Sequence, residues 1–165
     1  MSTYVDLLWR AARLRRDPYL RMTLAPDGVA DGALIVAAIH GVLVVPALIR
    51  GADLVVLVRF VLSGMFGWLI LSGLVYLIGR HLLEGYGSYQ GMMAASSLAY
   101  GPLLLAIPIA LFIDVGFASL IPSIWLLACV WMAAQQALEL SKEHAALAAI
   151  GGYAAWVIIQ TILSF

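Results

Sequence analysis

Five long apolar runs, separated only by short polar segments, limit what this chain can fold into. They cover residues 33–49, 54–78, 92–113, 117–138 and 145–165. A helix needs about 20 predominantly apolar residues to cross a bilayer, and these runs are close to that length or longer. The strands of a membrane barrel are about half as long and alternate apolar with polar residues. The pattern therefore predicts an all-α fold, an integral membrane bundle of five transmembrane helices.

The composition indicates that lipid surrounds most of these side chains. Apolar residues make up 64% of the 165 residues and charged residues 11%, whereas a soluble globular chain is about half apolar and about a quarter charged. A soluble protein of this size has too little polar surface to cover so many apolar side chains. The first run begins at Ala33, far from Met1, and no Ala-x-Ala cleavage pattern follows it, so we interpret it as a retained helix.

The uneven distribution of basic residues predicts the orientation. If the N-terminus is cytoplasmic, the inner segments hold Arg10, Arg13, Arg15, Arg16, Arg21, Arg80 and Lys142. The outer loops then hold only Arg50, with Arg59 close to that face in the second helix. The positive-inside rule favours this arrangement and leaves the C-terminus outside. The excess of arginine over lysine, with abundant Ala, Leu, Val and Gly, indicates a GC-rich bacterial gene, which predicts the bacterial inner membrane with a periplasmic C-terminus.

Residues 4–14 form a different kind of helix, too short and too charged to span a bilayer. Its apolar and charged positions fall on opposite faces: Tyr4, Leu7, Leu8, Ala11 and Leu14 against Asp6, Arg10 and Arg13. We favour an interfacial helix on the cytoplasmic membrane surface, where an aromatic ring and cations meet anionic headgroups. The residues of this membrane-surface helix are Trp9, Arg10, Arg13, Arg15 and Arg16. An amphipathic helix docked on a partner or on the bundle is the alternative.

The chain therefore divides into two predicted parts. Residues 1–29 form the cytoplasmic amphipathic helix and a linker, and residues 30–165 form the transmembrane domain. Asp17-Pro18 is expected to end the helix, and Ala25-Pro26-Asp27-Gly28 is expected to turn the chain into the first span.

Several short motifs in the second half of the chain resemble a known family. A loop, Gly85-Tyr86-Gly87-Ser88-Tyr89-Gln90, leads into Ala99-Tyr100-Gly101-Pro102-Leu103-Leu104. The fourth span contains Trp125-Leu126-Leu127 and Gln136-Ala137-Leu138 and precedes an alanine-rich helix. From about Asp17 onward, this order of features resembles the bacterial branch of the Yip family, the Rab-interacting-protein-like membrane proteins. The resemblance implies a five-helix bundle with a cytoplasmic N-terminus and an association with membrane organisation or trafficking. The Asp-Leu-Tyr-Gly-Pro element of the eukaryotic branch is missing, so Rab binding is not implied.

His40 lies in the middle of the first span, where an ionisable residue is a functional candidate. One interpretation is an axial ligand for a haem or chlorophyll-type metal, since neutral imidazole is a common ligand. The other is a neutral histidine that hydrogen-bonds to a neighbouring helix. His81 and His144 fall in predicted cytoplasmic loops, so no second histidine joins it, and the second interpretation is favoured. We therefore predict no cofactor and no metal, although a bound lipid is compatible with the sequence.

Two charges near the outer face are expected to form a structural ion pair, Arg59 in the second span and Asp114 at the end of the third. Pairing lowers the cost of each charge in the membrane, whereas Arg59 alone would extend toward the headgroups. Close helix packing is predicted at glycines that end small-xxx-small patterns, namely Gly41, Gly67, Gly101 and Gly152.

Enzyme signatures are missing: the sequence has no Gly-x-Ser-x-Gly, no His-Glu-x-x-His and no P-loop. Net charge is zero, which gives no support for nucleic-acid binding. We expect a non-enzymatic membrane organiser or adaptor that contacts the lipid bilayer and other integral membrane proteins. An accessory subunit of a large bioenergetic or transport complex is the alternative. A small transporter is a third option and needs a polar cavity, for which the spans offer few groups: Ser96, Ser97, Gln135, Gln136 and Gln160.

Overall fold

A computed structural model describes residues 2–109 and 120–163, and every regular element in these two ranges is helical. The elements, in chain order, are α1 (Ser2–Ala12), α2 (Arg16–Leu24), α3 (Gly28–Ile49), α4 (Leu54–Leu77, continued by the π-helical Ile78–Leu82), α5 (Tyr89–Ser97, continued by the 3-10 helix Leu98–Leu105), α6 (Ala106–Ile109), α7 (Leu120–Ala137) and α8 (Lys142–Leu163).

The prediction of five spans is confirmed. The described residues contain five stretches that are long and apolar enough to cross a membrane: Gly28–Ile49, Leu54–Leu82, Tyr89–Ile109, Leu120–Ala137 and Lys142–Ile162. The first begins earlier than the apolar run indicated, because its first turn contains Asp31, and an acidic side chain is favourable at the positive end of the helix dipole. Residues 110–113, 117–119 and 164–165, which the sequence also assigns to spans, lie outside the described residues.

The third span is the centre of the bundle. Every residue from Gly91 to Tyr100 is buried, and α5 contacts α2, α3, α4 and α7. Its residues there are small or flexible, such as Ala95 and Met92, which lets the surrounding helices approach closely. Pro102 lies in the 3-10 helix that continues α5.

A buried polar cluster joins the second span to the third. Trp68 Nε1 donates to the carbonyl oxygen of Met93 and to Ser96 Oγ, both at 3.1 Å. Ser72 Oγ and Ser96 Oγ are 2.7 Å apart. In an apolar surrounding these groups have no water to bond with, so their partners have to come from the protein.

The predicted linker is wrong, because much of it is helix α2. The first helix ends at Ala12, followed by Leu14 in the left-handed region with φ 57°. Asp17 and Pro18 then lie in the first turn of α2, where proline is tolerated because its missing N–H needs no helical partner. The turn before Gly28 is confirmed, with its N–H donating to the Ala25 carbonyl oxygen at 3.1 Å.

The hairpin formed by α1, the turn at residues 13–15 and α2 packs along one side of the bundle. In α1, the Tyr4 hydroxyl donates to the Asp31 carboxylate in the first turn of α3 (3.3 Å). The middle of α1 packs on the 3-10 helix at Gly101. At its end, Trp125 Nε1 of α7 donates to the Ala12 carbonyl oxygen (2.7 Å). Asp31 is in the first turn of α3, whereas Gly101 lies twelve residues after the start of α5 and Trp125 twelve residues before the end of α7. At 1.5 Å per residue the last two lie about 18 Å from the end of the bundle where α3 begins, so α1 runs down beside the spans as it passes from α3 to α7. We call the end of the bundle where α3 begins the hairpin end.

The family-like loop motif has a structural role at this end. Ser88 caps α5, accepting from the Gly91 N–H at 3.0 Å. Gly87 lies so close to the Ala137 carbonyl that a Cβ there would overlap it. Tyr89 Oη donates to the Leu69 carbonyl oxygen at 3.1 Å. The motif therefore holds the loop between the second and third spans against the fourth.

Candidate functional site

The outer side of the hairpin is the first candidate site, and we call the surface formed by Trp9, Arg10, Arg13, Arg15 and Arg16 the arginine surface. Trp9 is 58% exposed. The Arg13 guanidinium carbon lies 4.6 Å from the centre of the Trp9 ring, which is the geometry of a cation–π contact. This pair places an apolar ring and a cation side by side, as an interfacial helix requires.

Ion pairs within the hairpin involve only one of the arginines among the described residues. Arg10 contacts Asp17 at 2.9 Å and Asp6 at 3.8 Å, and the first contact ties α1 to α2. The four arginines of the surface and these two aspartates leave a formal charge of +2. Arg13, Arg15 and Arg16 make no ion pair within the described part of the chain, so their charges remain available to headgroups or to a partner.

The opposite face of α1 is docked on the bundle, as the alternative interpretation of this helix predicts. Leu7 and Ala11 are buried. The Tyr19 hydroxyl donates to the Ala11 carbonyl oxygen at 3.0 Å, which also accepts from the Leu14 N–H at 2.8 Å, so this bond ties α2 to the last turn of α1. Burial, with a smaller contribution from the neighbouring Cys129, raises the pKa of Tyr19 above its usual range, which keeps the phenol neutral and able to donate. Membrane contact by the arginine surface stays a prediction.

The second candidate site is a cavity of about 190 Å³ inside the bundle, to which all five spans contribute. Its polar residues are His40, Ser63, Tyr100, Ser123, Tyr153 and Gln160. We call it the polar cavity. Of the polar groups that the sequence offered for such a site, only Gln160 lines it. Ser96 and Ser97 are buried in α5 instead, where their hydroxyls donate to the carbonyls of Met93 and Ala94.

His40 is 7% exposed and forms one wall of the polar cavity. Its Nδ1 lies 2.8 Å from the carbonyl oxygen of Val36, one turn earlier in the same helix. The predicted bond to a neighbouring helix is therefore wrong for this nitrogen. Because a carbonyl can only accept, Nδ1 carries the proton, and Nε2 of the neutral ring is left as an acceptor. The ring lies between Phe60 and Tyr100, with both centroids 5.6 Å away.

A glycine opposite the histidine was not identified from the sequence. A Cβ at Gly64 would overlap the His40 ring, so the ring fits only because α4 has no side chain there. Phe60 and Trp68, four residues to either side, are large, so the small-xxx-small pattern does not identify Gly64. The small-xxx-small pattern identifies helix positions where two small residues pack against each other. Gly64 instead packs against the His40 imidazole ring.

The polar cavity suits a small uncharged molecule or ordered water. Its volume is below the roughly 300–1,000 Å³ of pockets for drug-sized ligands. The Nε1 of Trp156 is buried without a hydrogen-bond partner among the described residues, which adds an unused donor to its wall. No three His, Cys, Asp or Glu side chains within the described ranges are grouped so that they could hold a metal ion.

Arg59 is exposed and lines a groove of about 360 Å³ beside the polar cavity, with which the groove shares Ser63, Gly67, Trp156 and Gln160. Asp114, its predicted partner, lies outside the described residues, so the ion pair stays a prediction.

The predicted packing glycines have different outcomes. Gly152 meets the second span closely, since a Cβ there would lie 3.0 Å from the backbone nitrogen of Val75. Gly67 faces the Trp156 ring and Gly101 faces Leu8 of the hairpin, both at 3.4 Å. The prediction of close packing at Gly41 is wrong, because nothing lies within 4 Å of a Cβ built there. A small residue permits close packing but does not supply a neighbour.

Comparison of the chain with protein-family models, with curated proteins and with solved structures finds no match to any of the three.

Proposed function

We propose that this five-span membrane protein is a non-enzymatic, Yip-like organiser of the bacterial inner membrane, and that its hairpin binds the cytoplasmic leaflet. The observation on which the proposal rests is the placement of the hairpin: it packs beside three spans in the half of the bundle where α3 begins, and it presents Trp9 and three arginines without described ion-pair partners on its outer side. Arginines near an anionic leaflet contribute about 1 kcal/mol each. The positive-inside distribution of charge supports a cytoplasmic position for this end.

The placement of the hairpin also supplies a physical route to membrane organisation. It adds two helices beside the spans in the half of the bundle where α3 begins, so the protein is wider in that half than in the half where α3 finishes. Because the hairpin lies in one half of the bundle, it occupies area in one leaflet only, as amphipathic interfacial helices do. Unequal area between leaflets favours curvature.

The test is reconstitution of the whole chain into vesicles of neutral lipid, with and without an anionic phosphatidylglycerol fraction. We expect smaller or tubular vesicles only with the anionic lipid, and loss of the effect in the triple variant Arg13→Gln, Arg15→Gln, Arg16→Gln. Arg50→Gln, at the opposite end of the bundle, is the matched control and should behave as wild type. Vesicle shapes that are the same for wild type and the triple variant contradict the proposal.

A native gel of mild-detergent extracts distinguishes the organiser from the alternative, an accessory subunit of a large complex. A free or heterogeneous species supports the organiser. One discrete, stoichiometric large complex supports the subunit. For that role α4 offers an apolar contact face, since only five of its 24 residues are buried.

The polar cavity favours a second candidate function, the binding and passage of a small uncharged solute. Stopped-flow light scattering of proteoliposomes tests it, with glycerol as the probe. Re-swelling after an osmotic step with glycerol that is faster than in empty vesicles, slowed by His40→Phe and unchanged by Gly41→Ala, supports a passage. Rates equal to those of empty vesicles exclude passage of this probe.

A further inference from the structure

Two pockets at the hairpin end of the bundle adjoin each other. The first is an apolar groove of about 330 Å³ between α1, α3 and the 3-10 helix, whose walls include Leu8, Ile35 and Leu104. The second, of about 340 Å³, lies between the hairpin and the start of α3 and includes Arg21 and Met22. Tyr4 and Asp31, which are hydrogen-bonded to each other, line both pockets, so the two pockets adjoin at this bond. We call them the chain groove and the head pocket.

The chain groove has the length and direction of a lipid acyl chain. It follows α3 from Asp31 to Val42, which is eleven residues at 1.5 Å each, or about 16 Å. That is about half of the roughly 30 Å hydrocarbon core, the depth of one leaflet. Because α3 is a span, the groove runs across the leaflet as acyl chains do. Its side is open, since Leu34 is 70% and Val42 47% exposed.

The head pocket has two opposite charges that do not pair with each other. Arg21 and Asp31 both line it, but the ion pairs among the described residues are the two made by Arg10. The Asp31 carboxylate accepts only a long hydrogen bond, 3.3 Å, from the Tyr4 hydroxyl. A cation and an anion held apart at the mouth of an apolar groove match a headgroup that has both signs of charge.

We propose that the chain groove and head pocket bind one aminophospholipid, a lipid whose headgroup has a phosphate and a primary ammonium. The acyl chain lies along α3, the phosphate meets Arg21 and the ammonium meets Asp31. A guanidinium offers paired N–H donors to phosphate oxygens, and a primary ammonium offers N–H donors to a carboxylate. A choline headgroup has no N–H donor, and a phosphatidylglycerol headgroup has no cation for Asp31.

This inference does not depend on the organiser function, because it uses Arg21 and Asp31 rather than the arginine surface. The two proposals fail separately. Loss of curvature in the arginine-surface variant leaves lipid binding in place, and loss of selective lipid binding leaves curvature in place.

The experiment measures which lipid stays bound to the intact chain. Detergent-purified protein is incubated with phosphatidylethanolamine, phosphatidylcholine or phosphatidylglycerol of identical acyl chains, and retained lipid is counted by native mass spectrometry. We expect one ethanolamine lipid per chain, retained about tenfold better than either of the others, since a hydrogen bond to a charged group is worth at least that factor. Asp31→Asn and Arg21→Gln should each remove most of the preference.

Matched variants distinguish lipid bound at the proposed site from lipid bound elsewhere on the surface of the spans. Asp53→Asn and Arg50→Gln make the same chemical changes at the opposite end and should keep the preference. Ala38→Trp fills the chain groove and should abolish retention, whereas Leu62→Trp on the lipid-facing side of α4 should not. Equal retention of all three lipids, or preference for phosphatidylglycerol, overturns the proposal. If Asp31→Asn does not fold, Arg21→Gln and Ala38→Trp decide the outcome in the same way.

Discussion

The imidazole of His40 lies against α4 at Gly64, where a Cβ would overlap its ring. A buried histidine in the first span and an absent side chain in the second therefore form a matched pair. The pair determines how closely the two spans approach beside the polar cavity, because any larger residue at Gly64 would push the ring away.

Gly64→Ala is expected to destabilise the protein by about 1–3 kcal/mol, the cost of forcing extra volume into a packed core. Thermal unfolding in detergent measures the change. Gly41→Ala is the control, because nothing lies within 4 Å of a Cβ there, and its midpoint should stay at or slightly above the wild-type value. His40→Ala in the Gly64→Ala background should recover part of the loss. Equal midpoints for the two glycine variants would show that the ring is not held against α4.

Two adjacent glycines in α8 should differ in their tolerance of a methyl group. At Gly152 a Cβ would meet the backbone nitrogen and Cα of Val75, at 3.0 and 3.2 Å, whereas at Gly151 it meets only the end of the Ile78 side chain at 3.1 Å. Backbone cannot move aside and a side-chain end can. Gly152→Ala should therefore lower the unfolding midpoint clearly more than Gly151→Ala. The reverse order would be inconsistent with this approach of α8 to α4.

Removal of the Tyr19 hydroxyl should loosen the hairpin. Tyr19→Phe removes one of the hydrogen bonds to the Ala11 carbonyl oxygen, which keeps its bond from the Leu14 N–H at 2.8 Å, so the expected cost is that of a single hydrogen bond, about 0.5–1.5 kcal/mol. Hydrogen exchange of the α1 amides reports the change and should be faster. Tyr86→Phe, a change at an exposed ring, is the control and should exchange at the wild-type rate.

The same hydrogen bond predicts a pH dependence. Burial raises the pKa of Tyr19 in the folded protein above its ordinary value of 10.0, so its contribution is complete below pH 10 and is lost as the pH rises further. Exchange protection of α1 should stay level across neutral pH and fall in strong alkali, with a smaller fall in Tyr19→Phe. Identical alkaline profiles for the two proteins would rule out Tyr19 as the cause.

Cys129 is the only cysteine and is buried beneath the hairpin, with Sγ 3.9 Å from the Ala11 carbonyl oxygen. Its accessibility therefore reports whether the hairpin is docked, and no cysteine has to be introduced. Maleimide labelling should be slow in the wild type and much faster in Leu7→Asp, which places a charge on the docked face. Val5→Asp, on the exposed face, is the control. Fast labelling of the wild type would show that the hairpin leaves the bundle readily.

The number of spans could be predicted because it depends on a local property, the length of each apolar run compared with the thickness of the bilayer. The amphipathic character of α1 is local in the same sense. The second hairpin helix was missed because Asp17-Pro18 indicates both the end of one helix and the first turn of another. Only the burial of Pro18 and Tyr19 against α5 and α7 shows that these residues begin a second helix.

The candidate sites depend on residues far apart in the chain. The polar cavity combines His40, Tyr100 and Gln160 from three spans, and the head pocket places Arg21 near Asp31 across a turn. Spacing along one helix cannot show which residues of another helix it meets. The same reason explains why Gly152 and Gly41, similar in sequence context, differ in contact.

The sequence by itself determined that the chain crosses a membrane as helices, because backbone N–H and C=O groups without water can be satisfied only within such segments. It also determined the charge asymmetry on which the predicted orientation depends. Only the tertiary structure decided that the hairpin packs against three spans, that Gly64 packs against the His40 ring, and that polar groups from all five spans line one cavity. Those relationships follow from packing between helices, which brings together residues far apart in the chain, and a local sequence pattern cannot show such contacts.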